Sequence, residues 1–169
     1  MKSTLIIISG LPSTGKSTIA EALGKKLKFP VFSVGPIESA IIQADITKNF
    51  ATGLAAYLVA KNLATEQLKL GLSVIIDAVS PVQEARDMWL KISNKYHAQL
   101  KIIECILDPK IHRARIEQRV RNLPGFPEVT WSDVEKQRKE FLPWEESRLV
   151  LDMSQNLEEN ITRIFNYLN

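Results

Sequence analysis

With 169 residues, the chain suits one domain, 1–169, in which a sheet is covered by helices, and no second domain is expected. A formal charge of +3, with 22 Lys and Arg interspersed among 19 Asp and Glu, is only mildly basic and gives no nucleic-acid footprint. No stretch approaches the roughly 18 apolar residues that span a bilayer, and the single cysteine, Cys105, sits in an apolar run as an expected inert thiol, so a cytoplasmic setting without membrane partners is expected.

The first apolar run, residues 4–8, is β-branched and short enough for a strand buried on both faces. It is broken by Ser9-Gly10-Leu11-Pro12, which marks a strand end rather than a secretion signal. Gly10-Leu11-Pro12-Ser13-Thr14-Gly15-Lys16-Ser17 then fits a phosphate-cradling pattern: two glycines bracket four residues, and Lys and Ser follow. Ile19, Leu23 and Leu27 recur beyond it at helical spacing, so the octapeptide joins a strand to a helix. In such a turn the backbone N–H groups from Ser13 to Ser17 can point into one concavity, and the helix N-terminus adds partial positive charge. A polyphosphate fits there, with the Lys16 ammonium on its β- and γ-phosphates and the Ser17 hydroxyl on Mg²⁺.

Residues 29–34 read as a short second strand, and Gly35-Pro36 opens a helix with Pro36 suited to its first position. After Lys48-Asn49 a long helical pattern through Leu54, Leu58, Ala60, Leu63 and Leu68 stops at Gly71, which suits a C-terminal cap. Residues 73–77 give a third strand, apolar until Asp77, and Ser80-Pro81-Val82-Gln83 predicts a capping box with Pro in the first turn. The helix that follows turns Val82, Ala85, Trp89, Ile92 and Tyr96 to the core, with Arg86 flanking the stripe. Residues 100–107 form a fourth strand, and Asp108-Pro109 start an arginine-rich helix running to about Arg121. A breaker-dense loop over 122–127 precedes a helix from Thr130 to Leu142-Pro143-Trp144, then a fifth strand over 149–152. Leu157, Ile161, Ile164, Phe165 and Leu168 line a last amphipathic helix.

Apolar strands alternating with helices predict an α/β fold with a parallel sheet and helices on both faces. Ligands in such folds bind at the carboxyl ends of the strands, where the octapeptide, Gly35, Asp77 and the arginine-rich segment all fall.

With these residues in place, the chain resembles the P-loop kinases of small molecules, a group that includes gluconate kinase, adenylylsulfate kinase, chloramphenicol phosphotransferase, polynucleotide kinase and the zeta toxins. The likeness covers nearly the full length and is most specific at residues 10–18, at Val74-Ile75-Ile76-Asp77-Ala78, at Arg115-Ile116-Glu117-Gln118-Arg119 and at Leu149-Val150-Leu151-Asp152. It implies a three-layer core of five parallel strands in the order 2-3-1-4-5, a small lid-like segment about 109–145, and ATP and Mg²⁺ as cofactors. It also implies that Gly10, Ser13, Thr14, Gly15, Lys16, Ser17, Thr18, Arg115 and Arg119 bind the nucleotide, Arg115 on the adenine and Arg119 on the transferring phosphate. Asp77 would hold a water on Mg²⁺ beside Ser17, making Lys16, Asp77 and Arg119 the catalytic set; Arg113 and Arg121 are weaker candidates. The backbone at Ser154 matches where the family touches adenine.

One position departs from the pattern. Many relatives carry Asp at the end of the second strand to accept the substrate's proton, and this chain has Gly35. Because phosphoryl transfer proceeds mostly by positioning and charge stabilisation, loss of that base need not abolish activity. Glu38 is the nearest carboxylate, and Asp45 is further off.

The expected activity is therefore an ATP- and Mg²⁺-dependent transfer of the γ-phosphoryl group to a hydroxyl of a small molecule, held near Gly35, Glu38, Tyr57 and Arg86. The competing reading is a catalytically weak or degenerate nucleotide-binding module. A GTPase is disfavoured because Asp77-Ala78-Val79-Ser80 lacks a switch glycine and Asn94-Lys95-Tyr96-His97 lacks a guanine-reading Asp. Neither a basic stripe nor an aromatic series supports a nucleic-acid acceptor.

Overall fold

The five apolar runs form one parallel sheet: β1 (Thr4–Ser9), β2 (Val31–Ser33), β3 (Val74–Asp77), β4 (Gln99–Ile106) and β5 (Arg148–Asp152). Their order is β2-β3-β1-β4-β5, as the resemblance implied. The computed structural model describes residues 2–120, 124–125 and 127–169. Arg121 and part of the expected breaker loop lie outside the described residues.

The pleat of β1 assigns its residues alternately to two cores. Leu5 and Ile7 pack with Val74, Ile76 and Ile102 beneath α2 (Val34–Gln43), α3 (Phe50–Lys69) and α4 (Gln83–Lys95). Ile6 and Ile8 pack with Ile75, Ile103 and Cys105 beneath α1 (Lys16–Leu27) and α7 (Leu157–Leu168). Burying each of these large aliphatic side chains contributes about 1.5–3 kcal/mol, so the carboxyl end of β1 is held firmly in place. Helices α5 (Pro109–Gln118) and α6 (Trp131–Glu140) make up most of the segment expected as a lid.

Four local expectations are corrected. The sheet-facing residues of α3 are Ala56, Ala60, Ala64 and Leu68, while Leu54, Leu58 and Leu63 are exposed. Alanines at every fourth residue let the helix lie close against the sheet, and leucine there would hold it away. Helix α2 starts at Val34, which leaves Pro36 within the first turn, where no backbone N–H is needed. Helix α4 starts at Gln83 and Val82 is its N-cap, because Ser80 is committed elsewhere in a left-handed turn with φ of 49°. Helix α5 stops at Gln118, and Arg119 is already extended with ψ of 129°.

Candidate active site

Between β1 and α1 the chain turns through Gly10 at φ 140°, Ser13 at 63° and Gly15 at 107°. A β-carbon on Gly10 would collide with the Cys105 carbonyl oxygen, and one on Gly15 would lie 2.9 Å from Met153 Cε. At Gly10 both the dihedral and the space require glycine, and at Gly15 the positive φ does, since the end of Met153 can move aside. The loop is tied internally: the Thr14 hydroxyl donates to the Leu11 carbonyl at 2.9 Å, and the nearly buried Lys16 Nζ donates to the same oxygen at 2.9 Å.

Strand β3 delivers Asp77 beside this loop, because parallel pairing sets it opposite Ile8 at the end of β1. The Ser17 hydroxyl donates to Asp77 Oδ2 at 2.7 Å. This hydroxyl and carboxylate are hard oxygen donors of the kind Mg²⁺ takes, and few protein ligands suit an ion that keeps waters and phosphates in its shell. Among the described residues no group of three or more His, Cys, Asp or Glu gathers to form a closed protein cage for a metal.

Helix α5 and the extended Arg119 just beyond it meet the loop from the other side at three successive residues. His112 Nε2 donates to the Pro12 carbonyl at 2.7 Å, Arg119 Nη1 to Ser13 Oγ at 3.0 Å and Arg115 Nη1 to the Thr14 carbonyl at 3.2 Å. Arg115 also reaches the Met153 carbonyl at 3.4 Å, which links the loop to the end of β5. His112 is buried, its ring meets the Trp131 ring edge-on at 5.6 Å, and Arg138 Nη2 lies 3.5 Å from Nδ1. Burial holds the imidazole pKa below its usual 6.5; the hydrogen bond to Pro12 acts the other way, and the charges of Arg138, Lys16 and Arg115 lower it again. The imidazole is therefore neutral, with Nε2 carrying its proton. His112 was legible only as a spacing: it stands three residues before Arg115, on the same face of α5. Arg113 leaves this face for a solvent-exposed pair with Glu117.

A cleft of about 1400 Å³ opens over the loop, and Lys16, Asp77, Arg115 and Arg119 line it. Gly35, Glu38 and Tyr57 line it too, so these expected acceptor residues are gathered into the same space. Glu38 accepts a hydrogen bond from the Thr52 hydroxyl at 2.9 Å. The Tyr57 oxygen accepts from the Ser80 N–H at 2.8 Å, and burial, with the Asp77 and Glu38 charges adding, pushes its pKa up to about 12. It is a hydrogen-bonding wall group and not a proton acceptor at neutral pH.

Arg86 is the exception. It is fully buried behind the cleft wall, with Nε on the Ser80 carbonyl at 3.0 Å, Nη1 on the Pro143 carbonyl at 2.7 Å and Nη2 on the Leu142 carbonyl. The Trp144 and Phe141 rings cover its guanidinium at 4.4 and 5.2 Å. Its place on the core side of α4 turns an expected acceptor ligand into a bracket between Ser80 and the segment after α6. Ser80, which sequence reasoning assigned to a helix cap, is the hub of that bracket: its hydroxyl also accepts from Trp89 Nε1 at 3.3 Å. Just past the carboxyl end of β5 the exposed Ser154 donates its N–H to Asp152 at 2.9 Å.

Among the described residues no helix is long and apolar enough to cross a membrane. The family model described as AAA domain matches residues 5–143. Over its whole length the chain superposes on all of a kinase-like protein of Chloroflexus aurantiacus, with a TM-score of 0.83 and 19% identity. It also superposes on the APS kinase CysC of Mycobacterium tuberculosis solved with AMPPNP and APS, with a TM-score of 0.75, 18% identity, and 99% of this chain and 98% of that one covered. At such identities the likeness shows the P-loop kinase fold. The bifunctional polynucleotide phosphatase/kinase of Schizosaccharomyces pombe is 29% identical over 99 residues, 59% of this chain. The aligned stretch spans 20% of that relative's length.

Proposed function

The chain belongs to the AAA domain family, and we propose that it is an ATP- and Mg²⁺-dependent phosphotransferase that moves the γ-phosphoryl group to a hydroxyl of a small molecule. One observation carries the reading: Ser17 and Asp77 meet at 2.7 Å beside Lys16, at the mouth of a loop that Arg115 and Arg119 also contact. In phosphoryl transfer there is little covalent work for the protein, and catalysis is positioning plus charge stabilisation. Backbone N–H groups and Lys16 would take the β- and γ-phosphates, and Ser17 and Asp77 would hold Mg²⁺, Asp77 through water. Bound there, the ion would supply charge neutralisation. Arg115 would leave its carbonyls for the adenine and Arg119 would swing from Ser13 to the γ-phosphoryl group. The acceptor oxygen forms its bond to the γ-phosphorus while the bond from that phosphorus to the bridging oxygen breaks, and the electron pair leaves with ADP. With Gly35 supplying no base, the hydroxyl proton passes late to an oxygen of the transferred phosphoryl group, which a loose transition state allows.

The test is a screen of hydroxyl metabolites with γ-labelled ATP, run with wild type and Lys16→Ala. The expected result is label transferred to an acceptor by wild type alone. Tight ATP binding with transfer to no hydroxyl compound would instead favour the nucleotide-binding module, to which Gly35 is the pointer.

A further inference from the structure

The acceptor end of the cleft differs in charge from the phosphate end. Among the described residues, four cationic side chains line the cleft: Lys16, Arg115, Arg119 and Lys48. The first three touch the phosphate loop itself. Lys48 adjoins the Asn49 cap of α3, and its charge acts on Asp133. Arg86, the cation expected to meet the acceptor, is spent on three backbone carbonyls. Apart from Asp77, the carboxylates that line the cleft are the half-buried Glu38 with Glu84, Glu128, Asp133 and Glu140. Tyr57 feels the charges of both Glu38 and Asp77.

The same end is apolar. Phe50, Leu54 and Val82 line it while 88%, 48% and 39% exposed, and Met88 and Ala85 extend the wall. Large apolar side chains left open to solvent inside a concavity mark a site for apolar surface. A carboxylate receives at most about four hydrogen bonds, and the Thr52 hydroxyl supplies one to Glu38, so the group retains capacity for a strong donor.

Resting on the phosphotransferase reading above, we propose that the acceptor is an amphiphilic amino alcohol. Its ammonium pairs with Glu38, its apolar body lies on Leu54, Val82 and Met88, and its hydroxyl takes the phosphoryl group at the Lys16 end. The bonds made and broken are those given above, and the amine stays protonated throughout. The same carboxylates oppose polyanionic acceptors, including the 5′ end of an oligonucleotide.

Three probes share a phenylpropyl body and differ in charge: phenylalaninol is cationic, N-acetylphenylalaninol neutral and phenyllactate anionic. Each is titrated by calorimetry into the protein loaded with Mg²⁺ and a non-hydrolysable ATP analogue. Phenylalaninol should bind roughly tenfold more tightly than phenyllactate, with the neutral probe between, as one part-buried ion pair dictates. Glu38→Gln should erase the difference and Glu38→Lys should invert it, with nucleotide-dependent thermal stabilisation confirming that both variants fold. If the variants do not fold, the wild-type charge series decides alone. Equal or tighter binding of phenyllactate, of a 5′-hydroxyl oligonucleotide, or no binding of phenylalaninol would overturn the inference, as would an unchanged preference in folded Glu38→Gln. Charge-selective binding without label transfer from ATP would uphold the site while overturning the phosphotransferase reading. Transfer to an anionic alcohol alone would do the reverse.

Discussion

Arg86→Leu should lower thermal stability while leaving ATP binding in place. The substitution strands three carbonyl oxygens at once. The one on Ser80 lies on a buried hydrogen bond, and leaving such a group unpaired costs about 1–3 kcal/mol. Those on Leu142 and Pro143 are part-buried and can recover water, so about 0.5–1 kcal/mol each is reasonable. Removing a buried charge returns some of this, since burying the guanidinium was itself unfavourable, and its pKa is lowered by that burial. A net loss of about 2–3 kcal/mol remains, which in a domain of this size lowers Tm by roughly 5–10 °C. Melting followed by circular dichroism, with and without ATP, measures both effects; Arg86→Lys should fall between, since an ammonium cannot hold three carbonyls in one plane. A Tm within about 2 °C of wild type would refute the bracket.

Cys105 is buried and its thiol pKa is pushed up to about 12, chiefly by burial, so Ellman's reagent at pH 8 should find no thiol in the native protein and one after denaturation. Fast native labelling would contradict the packing of β4. The folded His112 binds protons less readily than the unfolded chain, whose imidazole titrates near 6.5. Stability is therefore highest above that value and falls as pH drops from it toward the lower native pKa. Urea melts at pH 7 and pH 5.5 should show wild type losing more stability than His112→Gln, and equal losses would remove the effect. Asn49 caps α3 through its side chain on the Ala51 and Thr52 N–H groups, at 2.8 and 3.2 Å. Asn49→Ala should cost about 1 kcal/mol, read as a Tm lower by roughly 2–4 °C.

The strands and the phosphate loop were legible because their causes are local. Residues 5–8 are apolar at every position, as a strand buried on both faces requires, and Gly10 and Gly15 stand where φ is positive. Sequence spacing also carried Asp77 to the end of its strand. What failed was settled by neighbours distant in sequence. Arg86 looks like any flanking arginine until Leu142 and Pro143, more than fifty residues on, place their carbonyls against it. Ser80 matched a capping pattern, yet Tyr57, Arg86 and Trp89 claim its N–H, carbonyl and hydroxyl. The leucines of α3 promised a core face by hydropathy, but Leu54, Leu58 and Leu63 are exposed and Ala56, Ala60 and Ala64, with Leu68, face the core. His112 was passed over because a lone histidine in a charged helix carries no pattern of its own, and its partner is a backbone carbonyl that no sequence motif specifies.

Calorimetric titration of Mg²⁺ and ATP into wild type and Lys16→Ala measures most directly whether the loop between β1 and α1 holds a nucleotide's phosphates. Wild type should bind, and losing one charged contact to the phosphates should weaken the variant roughly 30-fold or more, about 2 kcal/mol. Equal affinity in the two proteins would contradict the phosphate-binding role of Lys16, and with it the kinase chemistry built on the loop.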